Sequence, residues 1–392
     1  MDNIREYRGK RDRDYKEKIR IHRQSKLRFI CIALGSVLFV VFSFFLYHAL
    51  RVYTDYTIKS VMERTETSSS VTVQIGDNLV SYSKDGASCV DVDGNKVWNQ
   101  TYEMQKPVVG VTSQSIAISD YNGRNIYVMN SEKILGTIST NMPIKNVAVS
   151  ESGIVAAVQE DGSTTWIYVY DAKGNVLVYF KTKMSNSGYP VAVALSPDAM
   201  LMAVSYLYVD SGVMRSSVAF YNFGEVGQNE LHNYVSGFNY TDSVVPYVKF
   251  LNGELAVAVA DDRIMFYKGN QKPAVLSETL INQEILGIYG SNEYVGVVFE
   301  NEQGETKYCL DVYNTDGEKK ETLEFDNEYT DIIITEKTII IYNKNEWNVY
   351  TIGGRKKFSG VYEESIRKII TTNSIDNYLI VTGETLEKVQ LK

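Results

Sequence analysis

The sequence predicts an all-β protein: a β-propeller of seven or eight four-stranded blades, preceded by one transmembrane α-helix. Three observations support this prediction. An uncharged, apolar run of nineteen residues covers positions 29–47. From Val71 onward, short β-type runs alternate with turn residues, and helical periodicity is nearly absent. Hairpin units recur about every 40 residues, which is the spacing of propeller blades.

The apolar run is long enough to cross a bilayer. At the rise of an α-helix it spans roughly 28 Å, close to the roughly 30 Å of hydrocarbon in a membrane. A core helix would need a polar face, but the run offers only Ser36 and Ser43. A signal peptide would need a small-residue cleavage site, and no A-x-A pattern follows. We therefore interpret residues 29–48 as an uncleaved anchor in the lipid bilayer, with a cleaved signal or a core helix as alternatives. The predicted anchor includes Phe29, Leu34, Phe39, Phe44 and Tyr47.

The flanks of the run predict its orientation. Residues 1–28 contain eleven Lys or Arg and five acidic residues, a net charge of +6, whereas residues 51–70 contain three basic residues. Because basic residues are retained on the cytoplasmic side, we expect a single-pass protein of the cell membrane. Its basic head, residues 1–28, would be cytoplasmic and its C-terminal domain extracytoplasmic. The head could dock on anionic lipid headgroups or on a cytoplasmic partner, and the sequence leaves both open.

Charge also limits the partners of the large domain. The formal net charge of the chain is −8, so the residues after the head carry −14. This acidic balance argues against nucleic acid as a partner. Between the anchor and the domain, residues 49–70 are expected to form a stalk or linker. Residues 51–64 would continue the anchor helix, and residues 65–70 would form a polar connection.

Residues 71–392 carry the repeats. At 90–98, 169–180 and 312–323, a β-type run ends in Asp or Asn, a turn with Gly follows, and another strand begins. The Gly of each turn is expected to adopt the positive φ of a tight hairpin. Eight such units are counted, with seven as the alternative. Stacking blades around an axis buries the faces that a single blade leaves exposed, and a pair of β-sandwiches is the rival architecture.

The last unit, residues 366–392, is one strand short. We expect residues 70–75, SVTVQI, to supply the missing strand. The two ends of the domain would then meet and close the ring. Closure of this kind leaves only short, protected strand edges.

One stretch resembles a known propeller repeat. Residues 85–98, DGASCVDVDGNKVW, resemble one repeat of the quinoprotein-type propeller, which is also WD40-like in its blades. In that repeat a Gly turn, an Asp and a late Trp mark the blade. The resemblance implies that Trp98 docks between blades. It implies a fold rather than a quinone cofactor, because this unit alone carries the full pattern.

The wider chain resembles the domain-of-unknown-function family 5711, single-pass membrane proteins with propeller-like ectodomains. The resemblance covers the anchor and nearly the whole C-terminal domain, and it implies a fold and a location but no activity. Glycine usually follows the Asp of a Leu-Ser-Pro-Asp motif; Ala199 stands there, which argues against a tight turn with positive φ. The residues that carry the resemblance are Pro143–Ile144, residues 149–156, Gly188–Pro190, Leu195–Asp198 and Phe220–Asn229.

Histidine, the usual general base and metal ligand, is scarce in this sequence. His22 lies in the head, His48 lies at the membrane edge, and only His232 lies in the repeat domain. No nucleophile elbow or phosphate-binding Gly loop occurs. Asp91–Asn95 resembles the start of a calcium loop but lacks the closing Glu, so we interpret it as a turn. We expect no metal and no cofactor. Acid–base catalysis by a pair of carboxylates remains an alternative.

Aromatic residues mark the candidate contact surface. The segment richest in them lies in and beside an insertion at 223–243, and insertions in a regular repeat often lie on the binding face. Tyrosine also couples an apolar ring to a hydrogen-bonding tip, which favours binding surfaces. The residues predicted to bind a partner are Tyr221, Phe223, His232, Tyr234, Phe238 and Tyr240.

These observations predict a non-enzymatic binding or scaffold module at the cell envelope, with an envelope protein or glycan as its partner. An enzyme is the less expected alternative. It would be a carboxylate-dependent hydrolase of envelope glycans, with two acids about 5–10 Å apart. A ligand sensor that signals through the anchor is a third hypothesis. The fold class does not choose among them.

Overall fold

The computed structural model describes residues 2–64, 69–162, 164–182, 188–302, 304–372 and 374–392. The chain divides into two compact units, residues 1–53 and 54–392. The first unit contains one α-helix, α1 (Asp2–Leu50). Among the described residues, Lys18–Phe44 of α1 is the one helical stretch with the length and hydropathy to cross a membrane. Such a helix can serve as a membrane anchor or as a signal sequence.

The second unit is a β-propeller of eight blades, each a four-stranded antiparallel sheet. It begins with β1 (Tyr56–Glu63), and β2 to β29 then form seven blades of four consecutive strands. The strands of blades 1 to 3 are β2 (Val71–Ile75), β3 (Asn78–Tyr82), β4 (Gly86–Val90), β5 (Lys96–Thr101), β6 (Pro107–Val111), β7 (Ser115–Asp120), β8 (Asn125–Asn130), β9 (Ile134–Ser139), β10 (Ile144–Val149), β11 (Val155–Asp161), β12 (Thr164–Tyr170) and β13 (Val176–Thr182).

The remaining blades follow the same order. Blade 4 also contains a short helix, α2 (Glu225–Gln228), and a 3-10 turn, Leu231–Asn233. The strands of blades 4 to 8 are β14 (Tyr189–Leu195), β15 (Leu201–Asp210), β16 (Val213–Asn222), β17 (Tyr234–Thr241), β18 (Tyr247–Phe250), β19 (Leu255–Val259), β20 (Arg263–Lys268), β21 (Ala274–Leu280), β22 (Gly287–Gly290), β23 (Val295–Glu300), β24 (Tyr308–Tyr313), β25 (Lys319–Phe325), β26 (Asp331–Ile334), β27 (Thr338–Tyr342), β28 (Glu346–Thr351), β29 (Lys356–Val361), β30 (Lys368–Thr371), β31 (Asn377–Val381) and β32 (Thr385–Leu391).

The sheet topology confirms the predicted propeller with eight blades, so seven blades and a pair of sandwiches are both wrong. The second strand of a blade is buried on both faces, which explains continuous apolar runs such as LAVAV in β19 and TIIIY in β27. Apolar clusters fill the spaces between neighbouring blades. The Trp98 Nε1 of blade 1 donates a hydrogen bond of 2.9 Å to the Asn130 carbonyl of blade 2. Trp98 therefore docks between blades, as the quinoprotein-type repeat implied.

The ring is closed by β1, which corrects the predicted closure. The last sheet has the order β1-β32-β31-β30, so β1 is the outermost strand of blade 8. Residues 71–75, which were expected there, instead form the innermost strand of blade 1. The expected continuation of the anchor helix through residues 51–64 is also wrong, because α1 ends at Leu50. Within the predicted polar linker, residues 65–68 lie outside the described part of the chain.

The predicted glycine turns are confirmed. Gly94, Gly174 and Gly317 have φ values of +82°, +91° and +75°. In the first turn the Asp91 Oδ1 accepts hydrogen bonds from the backbone N–H groups of Asp93 (2.9 Å) and Asn95 (2.8 Å). Asp171 and Asn314 make the same pair of bonds in their own turns. The side chain before each turn therefore stabilises the turn, in agreement with the turn interpretation of Asp91–Asn95.

Ala199 differs from the expectation. It has a φ of +58°, so the turn after Asp198 forms in the left-handed region without glycine. The Ala199 N–H donates to the Ser196 carbonyl (2.8 Å), and the Ser196 hydroxyl lies 2.6 Å from the Asp198 Oδ1. These bonds compensate for the strain that a Cβ introduces at positive φ.

Candidate functional site

The predicted insertion lies between the third and fourth strands of blade 4. In an antiparallel blade, this connection and the turn between the first two strands lie at the same end of the propeller. We call that end the upper face; it contains the turns at 112–114, 150–153, 196–200 and 291–293. The insertion is shorter than predicted, because residues 234–241 form β17, the outermost strand of the blade. The irregular part is therefore residues 223–233.

Two of the predicted partner-binding tyrosines lie in the core. Tyr221 and Tyr240 are only 7% and 6% exposed. The Tyr221 hydroxyl lies 2.8 Å from that of Tyr206, and the Tyr240 hydroxyl lies 2.6 Å from that of Tyr267. Burial raises the pKa of Tyr221 to about 12, so its hydroxyl stays protonated and hydrogen-bonded to that of Tyr206. Both Tyr221 and Tyr240 belong to the packing between blades and are unavailable to a partner.

Phe238 is partly buried and contributes to the same packing. Its ring lies 5.1 Å from that of Tyr267 and 6.3 Å, edge to face, from that of Phe220. These contacts lie in the cluster between blades 4 and 5. Phe238 therefore supports the position of β17 rather than offering a free surface.

The other three predicted residues lie in or directly beside the irregular segment. Phe223 is partly buried, His232 is exposed with a φ of +55°, and Tyr234 is 46% exposed. Beside them, Leu231 is 80% exposed. Phe223, His232 and Tyr234 are therefore the predicted residues that stay together at the surface, and Leu231 was not predicted. His232 lies next to Leu231 and contributes a polar group at the edge of this apolar surface.

Next to this segment, a groove runs between blades 3 and 4. Its volume is about 430 Å³. It is lined by Phe223, Gln228 and Asn233 of the irregular segment, by Met200 of the preceding turn and by Leu177 of β13. Leu177 is 54% exposed and Met200 is 44% exposed. We call this surface, together with Leu231 and Tyr234, the blade 3–4 groove.

The sequence contained a signal for this groove that the prediction did not use. Residues 176–178 form a Val-Leu-Val run in the outermost strand of blade 3, where one face meets solvent. Val176 and Leu177 are about half exposed at that position. An apolar run on an outer strand is a mark of an interaction surface, because packing within the blade does not require it.

The mouth of the central channel lies on the same upper face. Here residues of the first strands of blades 1 to 6, the turns that follow several of them, and Glu336 in the corresponding turn of blade 7 surround a cavity of about 860 Å³. Hydrogen bonds link the turns at its edge: the Gly76 N–H donates to the Ser113 carbonyl (2.6 Å), the Ser113 hydroxyl to the Glu151 Oε1 (2.5 Å), and the Glu151 N–H to the Pro197 carbonyl (3.1 Å). The mouth is thus held by contacts across blades 1 to 4.

The blade 3–4 groove is lined mainly by apolar side chains. Among the described residues, no three His, Cys, Asp or Glu side chains come together as a metal site. In the part of the chain that the structure describes, no Ser, Cys or Asp side chain forms a hydrogen bond with the His232 side chain, as a nucleophile and base pair would require. Glu151, Glu293 and Glu336 do line the channel mouth. A carboxylate-dependent hydrolase would need two of these acids as its catalytic pair.

Comparisons with known proteins agree with the fold. The model of a family of unknown function (DUF5711) matches residues 49–391. No curated protein sequence matches the chain.

Several solved structures share the architecture at low identity. BamB from Moraxella catarrhalis is 9% identical, with a TM-score of 0.50, over 86% of this chain and 100% of that chain. Sqt1 from Chaetomium thermophilum is 12% identical, with a TM-score of 0.52, over 84% of this chain and 98% of that chain. Porphyromonas gingivalis dipeptidyl peptidase 4 is 11% identical, with a TM-score of 0.53, over 83% of this chain and 58% of that chain. The shared architecture confirms a quinoprotein-like or WD40-like propeller fold. Because the identities are this low, the ligands of these proteins cannot be assigned to this chain.

Proposed function

The chain belongs to the DUF5711 family of unknown function, and we propose that it is a membrane-anchored scaffold module that binds a protein partner at the cell envelope. In this proposal α1 stays uncleaved, the basic head is cytoplasmic and the propeller is extracytoplasmic. The charge difference between residues 1–28 and 51–70 supports that orientation. An anchor confines the propeller to one membrane and so raises its effective concentration for neighbouring partners.

The blade 3–4 groove is the observation that carries the proposal. Large apolar side chains at the surface of a closed, well-packed propeller cost solubility unless a partner covers them. Leu177, Met200 and Leu231 are each more than 40% exposed, and Tyr234 adds an aromatic ring with a hydrogen-bonding tip. Aromatic and aliphatic residues clustered in this way are typical centres of protein interfaces.

The surroundings of the groove favour a partner segment with basic residues beside an apolar stripe. Asp198 lines the groove and Glu225 lies in the adjacent α2, and both are exposed. The residues after the head carry a net charge of −14, which steers a basic segment toward this domain. We therefore expect an amphipathic segment of an envelope protein as the occupant.

Site-specific photo-crosslinking in cells tests the proposal. A photoreactive amino acid replaces Leu231 in one variant and Val361 in the control; Val361 is 65% exposed on the outermost strand of blade 7. We expect a discrete crosslinked protein from position 231 and none from position 361. Protease treatment of intact cells, which should leave the head protected, checks the orientation in the same samples. Equal crosslinking from both positions would contradict the assignment of the groove.

The hydrolase hypothesis remains the alternative, because acidic side chains surround the channel mouth. It predicts release of soluble glycan fragments by the purified chain and loss of that release in Glu151→Gln or Glu293→Gln. The scaffold proposal predicts no such release. A glycan-release assay with wild type and these two variants separates the two hypotheses.

A further inference from the structure

Lys249 stands out among the residues of the channel cavity. It is the one basic residue of the described cavity lining, which also contains Glu151, Glu293 and Glu336. Its Nζ lies 3.3 Å from the Gly290 carbonyl and 3.5 Å from that of Ser291. None of the ion pairs between described residues includes Lys249. It is a cation held in the channel by neutral backbone oxygens.

This arrangement is unfavourable for the protein alone. Burial lowers the pKa of Lys249, and no charged group counteracts that effect. Lys145 shows the contrast in the same domain, because its Nζ lies 2.8 Å from Glu160 and its pKa is raised. Lys249 is only partly buried, and a partly buried cation without a counter-charge is a frequent property of binding sites.

The ammonium group of Lys249 can donate one more hydrogen bond than the protein accepts from it. An ammonium has three N–H donors, and the two backbone carbonyls accept from two of them. The third donor is free to bond an acceptor that enters the cavity. A carboxylate in that position would supply both the missing hydrogen bond and the missing negative charge.

The walls of the cavity suit an apolar body attached to such a head group. They include the exposed Val111 and the partly buried Val109 and Val193, from the first strands of blades 2 and 4. A volume of about 860 Å³ lies within the usual range of small-molecule sites, about 300–1,000 Å³. The acids of the lining repel negative charge, so a ligand with one acidic group is less disfavoured than a ligand with several.

We propose that the channel cavity of blades 1 to 7 binds a small organic acid. Its carboxylate accepts a hydrogen bond from Lys249, and its apolar body packs against the valine side chains of the lining. This site is separate from the blade 3–4 groove, so it stands whether or not the groove binds a protein.

Calorimetric titration of the full-length chain in lipid nanodiscs tests the proposal with a matched pair of probes. Naphthalene-1-acetate has an aromatic body and a carboxylate; naphthalene-1-acetamide has the same body and no charge. A hydrogen bond to a charged group contributes about 1.5–3 kcal/mol, a factor of about 10 to 150 in Kd. We expect Lys249→Met to raise the Kd of the acetate at least about tenfold and to leave the Kd of the acetamide within about twofold. Lys133→Met, at an exposed turn, is the control that changes neither.

A second variant places the binding in the cavity. Val111 lines the cavity and is 43% exposed, so Val111→Trp fills the space without removing Lys249. It should weaken both probes. The proposal is overturned if the acetate fails to bind the wild-type chain, if Lys249→Met leaves its Kd unchanged, or if Val111→Trp affects neither probe.

Discussion

Tyr56 pairs with Leu391, so that the first residue of β1 faces the last residue of β32 across an antiparallel ladder. Seven such pairs join the two ends of the propeller, from Tyr56–Leu391 to Glu63–Thr385. The Tyr56 ring also stacks on that of Tyr362 at 5.2 Å and meets Trp347 edge to face at 6.3 Å. Closure therefore depends on a ladder and on an aromatic cluster between blades 7 and 8.

Removing β1 should destabilise the propeller. Each cross-strand pair contributes roughly 0.2–1 kcal/mol, so with seven pairs a chain lacking residues 1–63 should lose about 1.4–7 kcal/mol relative to one lacking residues 1–53. Urea unfolding of the two truncated chains gives this difference in the free energy of unfolding. Deleting residues 70–75 would not test closure, because they form the innermost strand of blade 1. Equal stability of the two truncations would show that β1 does not close the ring.

The turns of blades 4 and 6 predict opposite effects of exchanging alanine and glycine. Ala199→Gly should stabilise the protein by up to about 1 kcal/mol, because glycine removes the strain of a Cβ at a φ of +58°. Gly317→Ala should destabilise it by about 1–3 kcal/mol, since φ is +75° and the new Cβ would clash with the Ser277 Oγ. Gly353→Ala, where no atom lies within 4 Å of the new Cβ, is the control. Thermal unfolding ranks the three variants, and a loss of stability in Ala199→Gly would contradict the account.

The hydroxyl pair of Tyr206 and Tyr221 predicts a coupled effect on stability. Tyr221→Phe should cost about 1–3 kcal/mol, because it leaves the Tyr206 hydroxyl buried without its partner. The double variant Tyr206→Phe/Tyr221→Phe should recover part of that loss, and a double-mutant cycle from denaturant unfolding measures the coupling. Crosslinking from position 231 should be unchanged in Tyr221→Phe. Additive effects of the two substitutions would show that the hydroxyls are not coupled.

Lys249 predicts a dependence of stability on pH. Burial lowers its pKa in the folded state below the ordinary value of 10.5, so the unfolded chain binds more protons between the two values. The contribution of Lys249 to the free energy of unfolding therefore increases as the pH rises from its folded-state pKa toward 10.5. Lys249→Met should be more stable than wild type at neutral pH, and the difference should shrink as the pH approaches 10.5. Denaturant unfolding from pH 7 upward, with Lys133→Met as the control, checks the sign; a less stable Lys249→Met would contradict it.

The blade period and the glycine turns could be read from the sequence because both are local. Gly94 and Gly174 follow a capping Asp within a few residues, and each core strand is a short apolar run. The closing strand could not be read in this way. Its residues, YTIKSVME, are half exposed on an outermost strand, so charged and apolar side chains mix without a clear alternation, and their partner lies more than 300 residues away.

The candidate surface was predicted only in part for a related reason. An aromatic-rich segment looks the same whether its rings face a partner or a neighbouring blade. The side chains of Tyr221 in β16 and Tyr240 in β17 point into the core. Tyr234 instead lies at the exposed start of β17, beside the irregular segment. Leu177 and Lys249 come from other blades, and only the closed ring shows which cavities they line.

We propose that the blade 3–4 groove holds a protein partner at the envelope. The most direct test is quantitative capture of the protein crosslinked from position 231, using wild type, Leu177→Glu/Met200→Glu and the control Val361→Glu. Each chain must first reach the membrane and unfold with the wild-type midpoint. Hot-spot residues contribute about 2 kcal/mol or more, so the groove variant should recover less than about a tenth of the wild-type amount, and the control should match wild type. Equal recovery by all three chains would contradict the account.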